Sequence, residues 1–157
     1  MSQCSVIKSP LMKRSKKGFD MERFFRALAD RTRLRLLNLM GGDEVCVCFF
    51  VEILGMNQPK ISRHLAYLRR AGIVGARREG KWIHYRIVTP PDPRAAALLR
   101  GVRDWLARDK KLASDRKRLV NVCCSPNPPV ALQRAPRPAS MSSLRASTKR
   151  DGPLRGV

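Results

Sequence analysis

A glycine-containing turn, Gly55-Met-Asn-Gln58, followed by Pro59 at the head of a polar and basic run, constrains the architecture of this chain more than any other stretch. Proline is tolerated in the first turn of a helix, where its missing N–H has no intrahelical partner to lose. From there residues 59–71 place Ile61, Leu65 and Leu68 on one inward face and stop before Gly72. Ahead of the turn, Phe49, Phe50, Val51, Ile53 and Leu54 predict a helix that starts at Asp43-Glu44 and ends at Gly55. Helix, short turn and polar-basic helix together make a helix-turn-helix.

The same periodicity locates the other elements. Met21, Phe24, Phe25 and Leu28 fall at i, i+3, i+4 and i+7 and predict a helix over residues 20–28. Asp30 suits an N-cap for a second helix over residues 31–40, stopped by Gly41-Gly42, with Arg31, Arg33 and Arg35 expected on an outward charged face or near phosphates. After Gly72 the period changes. Ile73-Val74 leading to Arg77-Arg78, a turn at Glu79-Gly80, and alternation through Lys81-Trp-Ile-His-Tyr-Arg-Ile-Val88 predict a β-hairpin with a basic tip, the wing of a winged helix. The Pro90-Pro91-Asp-Pro93 break precedes a last helix, residues 94 to about 120, whose Leu98, Leu99, Val102, Trp105, Leu106 and Leu112 form a long apolar stripe. A small domain with a finished core leaves such a stripe for a partner, and a second copy of the chain supplies one. The expected fold is mainly α with a small β-hairpin, a homodimeric winged helix-turn-helix.

Charge narrows the partners. The chain carries 33 Lys and Arg against 12 Asp and Glu, +21 net over 157 residues, room for one ordinary domain. So basic a chain is drawn to polyanions, nucleic acid or acidic membrane. No stretch approaches the roughly 18 apolar residues of a spanning helix, which favours DNA over membrane. Residues 1–18 hold five basic residues and no acid, and residues 126–157 hold six against one. Both ends are therefore expected to be solvated basic tails, 1–18 and a disordered Pro-, Ser- and Arg-rich 125–157, flanking a folded unit over 19–124. Lys13-Arg-Ser-Lys-Lys17 has no apolar h-region and is not a secretory signal. Five cysteines, an odd number, with no export signal argue for reduced thiols in a cytoplasm.

On the helix after the turn, Gln58, Lys60, Ser62, Arg63, Tyr67 and Arg70 are expected to be exposed. Gln suits a bidentate contact to adenine and Arg to guanine in a major groove, while Ser and Lys suit phosphates. His64 is expected to pack beside Leu65 or touch a phosphate. Arg77, Arg78 and Lys81 at the wing lie where a phosphate backbone or minor groove is within reach.

Two thiol pairs, Cys46/Cys48 and Cys123/Cys124, are candidate metal ligands, since thiolates select soft metals and a helix N-terminus lowers a thiol pKa. On an ideal helix residues i and i+2 point about 200° apart, because each residue turns roughly 100°. If Cys46 and Cys48 share an ion, the backbone between them must leave regular helix geometry. Ligation a dozen residues ahead of Gln58 would then reach the DNA-reading helix through packed contacts.

Over about residues 20–124 the chain resembles the arsenical-resistance repressor family, the ArsR/SmtB winged-helix metalloregulators. The similar segments are Glu44-Val-Cys-Val-Cys48, Gln58-Pro-Lys-Ile-Ser-Arg-His-Leu65, Leu68-Arg-Arg-Ala-Gly-Ile-Val74 and Arg78-Glu-Gly-Lys-Trp-Ile-His-Tyr-Arg86. The resemblance implies a homodimer, paired through its first and last helices, that binds a palindromic operator and leaves it when metal or metalloid binds. It implies As(III) or Sb(III) as inducer at Cys46 and Cys48, although Phe49 and Phe50 stand where such repressors usually continue with Asp and Leu. As(III) commonly takes three thiolates, and Val51 stands where some relatives have a cysteine. The third sulfur is then sought in Cys123, Cys124 or Cys4, the last of these resembling a cadmium/lead-type arrangement, with a second metalloid site or capture of methylated arsenicals as the alternative for the Cys123/Cys124 pair. The family's zinc site of paired Asp and His on the last helix is not available, since the only histidines are His64 and His84.

Three functions compete: a repressor released by As(III)/Sb(III), with a Cd/Pb-responsive variant; a repressor released by thiol oxidation; and a constitutive basic DNA coater with a steep salt dependence. An enzyme is not expected, because no carboxylate pair, nucleophile–base constellation or phosphate loop is visible.

Overall fold

The computed structural model describes residues 18–142. Helix α1 (Met21–Leu28) is capped by Asp20, whose carboxylate accepts the Arg23 N–H, and α2 (Arg31–Met40) is capped by Asp30 through the Arg33 N–H. Both match the periodicity of the sequence. Arg33 and Arg35 do not form an outward charged face. Arg33 donates to the carbonyls of Ala27 and Arg26 at the end of α1 and lies 4.4 Å from the centre of the Tyr67 ring. Arg35 makes a two-pronged contact with Asp115 at 2.7 and 2.8 Å. Both arginines are structural ties, used where a planar donor fork meets carbonyls, a ring and a carboxylate.

A two-residue strand, β1 (Val45–Cys46), and helix α3 (Val47–Leu54) stand where one continuous helix from Asp43 was expected. The cause is remote in sequence: Val45 and Cys46 pair antiparallel with Tyr85 and His84. The turn to α4 (Gln58–Arg70) starts at Gly55 in the left-handed region, φ 61°, which an L side chain adopts only at a cost. Asn57 caps α4 through the Lys60 N–H. Strands β2 (Val74–Glu79) and β3 (Trp82–Ile87) form the wing, with Gly80 and Lys81 as its two-residue turn and Glu79 facing Trp82. The sheet order β1-β3-β2 puts β3 in the middle, paired on both sides. Tyr85, Val45 and the rings around Phe50 join one face of it to a core of Phe24, Leu36, Leu37, Phe49, Ile53, Ile61, Leu65 and Leu68.

The long last helix is two. Helix α5 (Pro93–Arg108) ends and α6 (Lys110–Cys124) begins at Asp109, whose carboxylate accepts from the Lys111 and Leu112 N–H groups, so an aspartate cap interrupts a stripe that reads as continuous. Helix α6 folds back along α2. Asn38 donates to the Leu112 carbonyl, and Arg116 reaches the carbonyls of Asn38 and Leu39. A Cβ on Gly41, where α2 ends with φ 54°, would run into the Arg116 guanidinium.

Residues 125–142 are packed, in contrast to the disordered tail that their composition suggests. After a 3-10 turn (Val130–Leu132) against α3, Leu132, Ala135 and Met141 are buried, and Ser140 donates through its hydroxyl to the Asp43 carboxylate at 2.6 Å. Three apolar anchors and one polar tie hold the segment against the rest of the chain. Cys4 and the basic run near the N-terminus lie outside the described residues, as do residues 143–157.

Among the described residues no helix is long and apolar enough to cross a membrane. Met21 and Phe25 on α1 and Leu98 and Trp105 on α5 are exposed apolar side chains, with Trp105 76% exposed, and Phe25 and Trp105 border one groove. That groove, of about 490 Å³, is lined by Phe25, Leu28, Leu34, Val102, Trp105 and Leu112.

Candidate functional site

The polar face of α4 is presented at its N-terminal end. Gln58, Lys60 and Arg63 are exposed and Ser62 is half-buried beside them, so side chains chemically suited to base edges and phosphates gather at one end of the helix. Arg69 and Arg70 extend the exposed basic surface toward the helix end. Tyr67 does not join it, being held under Arg33. His64 is half-buried with Nδ1 3.5 Å from an Asp30 carboxylate oxygen, which favours the packing reading over a phosphate contact.

The three basic side chains of the wing are unequally free. Lys81 extends over the Trp82 ring, 4.9 Å to its centre, and Arg78 donates to the Gly80 carbonyl at the turn. Arg77 is tied twice, to Glu44 at 2.7 Å and to Glu79 at 2.8 Å, and both carboxylates raise its pKa. Glu44 comes from the segment leading into β1, so Arg77 joins the wing to the approach of the thiol pair.

Cys46 ends β1 in an extended conformation, φ −67° and ψ 143°, and is at the same time the N-cap of α3; Cys48 lies in the first turn of that helix. The change from strand to helix between them is the departure from regular geometry that a shared ion requires. Their sulfurs are 2.8 Å apart, with Cys48 donating to Cys46. That hydrogen bond is the main reason the Cys46 thiol is lowered to about 7; burial opposes it, and the backbone N–H groups of Cys48, Ile83 and Val47 support it. Cys48 is pushed up by the same contact, by burial and by the adjacent thiolate. The pair therefore gives up its first proton, from Cys46, more readily than a lone thiol and its second less readily.

Cys123 and Cys124 end α6 and do not join this pair. Cys123 is fully buried, and burial raises its pKa to about 11, so it stays a thiol and packs as a small apolar side chain. Among the described residues no three His, Cys, Asp or Glu side chains are grouped closely enough to hold a metal ion.

One further residue belongs to this neighbourhood. His84 on β3 faces Cys46 on β1 and Arg77 on β2, so all three side chains leave the sheet on one face. It is 4% exposed, its Nε2 is buried without a hydrogen-bond partner, and the nearest acid is Glu79, 3.6 Å away. Sequence alternation marks His84 as a strand residue. Its place beside Cys46 depends on the pairing of β1, which no local pattern announces.

Residues 30–75 match the model of the bacterial regulatory protein arsR family. The chain is 44% identical over 108 residues to the arsenic resistance transcriptional regulator ArsR1 of Pseudomonas putida, covering 68% of this chain and 83% of that protein. It is 40% identical over 102 residues to the arsenical resistance operon repressor of Escherichia coli, 64% and 86% of the two chains. A probable mercury resistance operon repressor of Streptomyces lividans is 42% identical over 112 residues, 71% and 81%. Similarity at this level over more than four-fifths of each relative, on a helix-turn-helix with a basic wing, identifies the chain as a DNA-binding regulator of the arsR family.

Proposed function

We propose that this protein represses a metalloid-resistance operon as a homodimer and is released from its operator when As(III) or Sb(III) is captured by Cys46 and Cys48. The observation that carries this reading is the sulfur pair itself, 2.8 Å apart at the start of the first helix of the helix-turn-helix. Two sulfurs so close, one of them with its pKa lowered to about 7, suit a soft, thiophilic ion. The names of relatives that act in arsenical resistance support the same ligand class. With two sulfurs in place, the third position of a trivalent arsenic is left to water or hydroxide, or to a thiol from outside the described residues.

Gln58, Lys60, Ser62 and Arg63 read the operator, with Arg77, Arg78 and Lys81 on the flanking backbone. Helix α3 carries the sensor at its first turn and packs against α4, so a change of geometry at Cys46 and Cys48 is passed to the reading helix. Moving a two-state population from 1:99 to 99:1 needs about 5.5 kcal/mol of differential binding between the two arrangements.

The test is fluorescence anisotropy of the reduced protein on its own upstream DNA, titrated with arsenite, for wild type and a Cys46→Ala/Cys48→Ser double variant. Release of the wild type with retention of the variant is the expected result. Release of both moves the sensor to other cysteines, and retention of both removes arsenite as the signal.

A further inference from the structure

We propose that His84, with Glu44, is the positioning link by which occupancy of the Cys46/Cys48 pair reaches Arg77 of the wing. The inference rests on the reading of that pair as the sensor.

Three independent features meet at this place. First, Cys46, His84 and Arg77 occupy directly facing positions on three adjacent strands, so their side chains form one row across a face of the sheet. Second, Cys46 is both the last residue of β1 and the N-cap of α3, so a ligand that moves its sulfur pulls on the strand that is paired with β3. Third, His84 is buried with a ring nitrogen that has no partner, an arrangement rare enough in folded proteins to require a reason. Its Nε2 is 3.6 Å from the same Glu79 oxygen that binds Arg77 at 2.8 Å. A small strand displacement is enough to complete that hydrogen bond.

Arg77 then has two alternative engagements. Folded onto the sheet, its guanidinium is shared by Glu44 and Glu79; turned outward, it is free to meet a DNA phosphate, and it cannot do both. Capture of a ligand at the thiols moves β1 and β3, an N–H at His84 Nε2 donates to Glu79, and the carboxylate pair is fixed in the arrangement that retains Arg77. DNA binding and ligand binding thereby favour opposite arrangements of one side chain, which is the condition for linkage between two sites. The link runs through the wing and acts alongside the α3–α4 contact.

The experiment uses the full-length reduced protein, arsenite as the ligand and the chain's own upstream DNA. His84→Leu removes the unpartnered nitrogen while filling the site, His84→Gln keeps a polar group in reach of Glu79, and Glu44→Gln loosens the far end of the tie. For each, arsenite affinity of the free protein, DNA affinity with and without saturating arsenite, and a thermal melt are measured. Expected for His84→Leu is an unchanged melt, arsenite affinity and ligand-free DNA affinity, but a ratio of ligand-free to loaded DNA affinity lowered about tenfold, within the roughly 5–150-fold range of such couplings. His84→Gln should recover most of that ratio, and Glu44→Gln should lower it. If His84→Leu fails to fold, the His84→Gln and Glu44→Gln pair carries the comparison. Wild-type release with equal release of His84→Leu and Glu44→Gln overturns the link alone. A wild type that stays on DNA at saturating arsenite overturns the sensor reading and the link with it.

Discussion

At the scale of single residues, Cys46 and Cys48 have identical chemistry and opposite titration, because one donates to the other. With Cys46 lowered to about 7 and Cys48 raised, the pair should lose its first proton near neutrality and its second far into alkaline conditions. The ultraviolet absorbance of thiolate should therefore rise with pH through about 7 in the wild type, and this step should vanish in Cys48→Ala, which lacks the S–H donor. A surviving step would show that the donor is not the cause. The sign for stability follows from linkage: a thiol whose native pKa lies below its ordinary value near 9 stabilises the fold fully above that value and loses the contribution as pH falls through about 7. The C-x-C pair was legible in the sequence, and so was the need for an irregular backbone between its members. His84 was not, since a histidine in an alternating strand reveals its neighbours only when the strand beside it is known.

At the scale of elements, periodicity and punctuation located α1, α2, α4 and the wing to within a residue or two, because each is defined by contacts close in sequence. Elements defined by distant contacts were not legible. The strand β1 is only two residues long and depends on pairing with residues 84 and 85, while the break between α5 and α6 hides in a stripe that stays apolar across it. The return of α6 along α2 rests on Arg35 and Asp115, the latter buried. Asp115→Ala should lower unfolding stability by roughly 2–3 kcal/mol, below the ~3–5 of a fully enclosed pair because Arg35 remains in contact with water. Urea denaturation measures this, and a change under ~0.5 kcal/mol would show that the apolar contacts of Leu112 and Leu119 hold the helix unaided.

At the scale of the whole molecule, the exposed Phe25, Leu98 and Trp105 require a cover, and the proposed homodimer places a second copy there. Trp105→Asp should convert the protein to a monomer in sedimentation velocity and lower operator affinity at least about tenfold, since a palindromic site is held by two linked reading helices. An unchanged dimer would move the interface elsewhere. The folded segment at residues 130–142 carries a consequence of another kind, one of timing. Ser140 meets Asp43 across 97 residues of chain, and Leu132 packs over the helix that bears Cys48. At a synthesis rate of roughly 5–20 residues per second, α3 waits ~5–20 s after leaving the ribosome before the segment that encloses it exists. A nascent chain thus presents α3 without the segment that packs on it, and a message cut short before residue 130 leaves that side of the helix open.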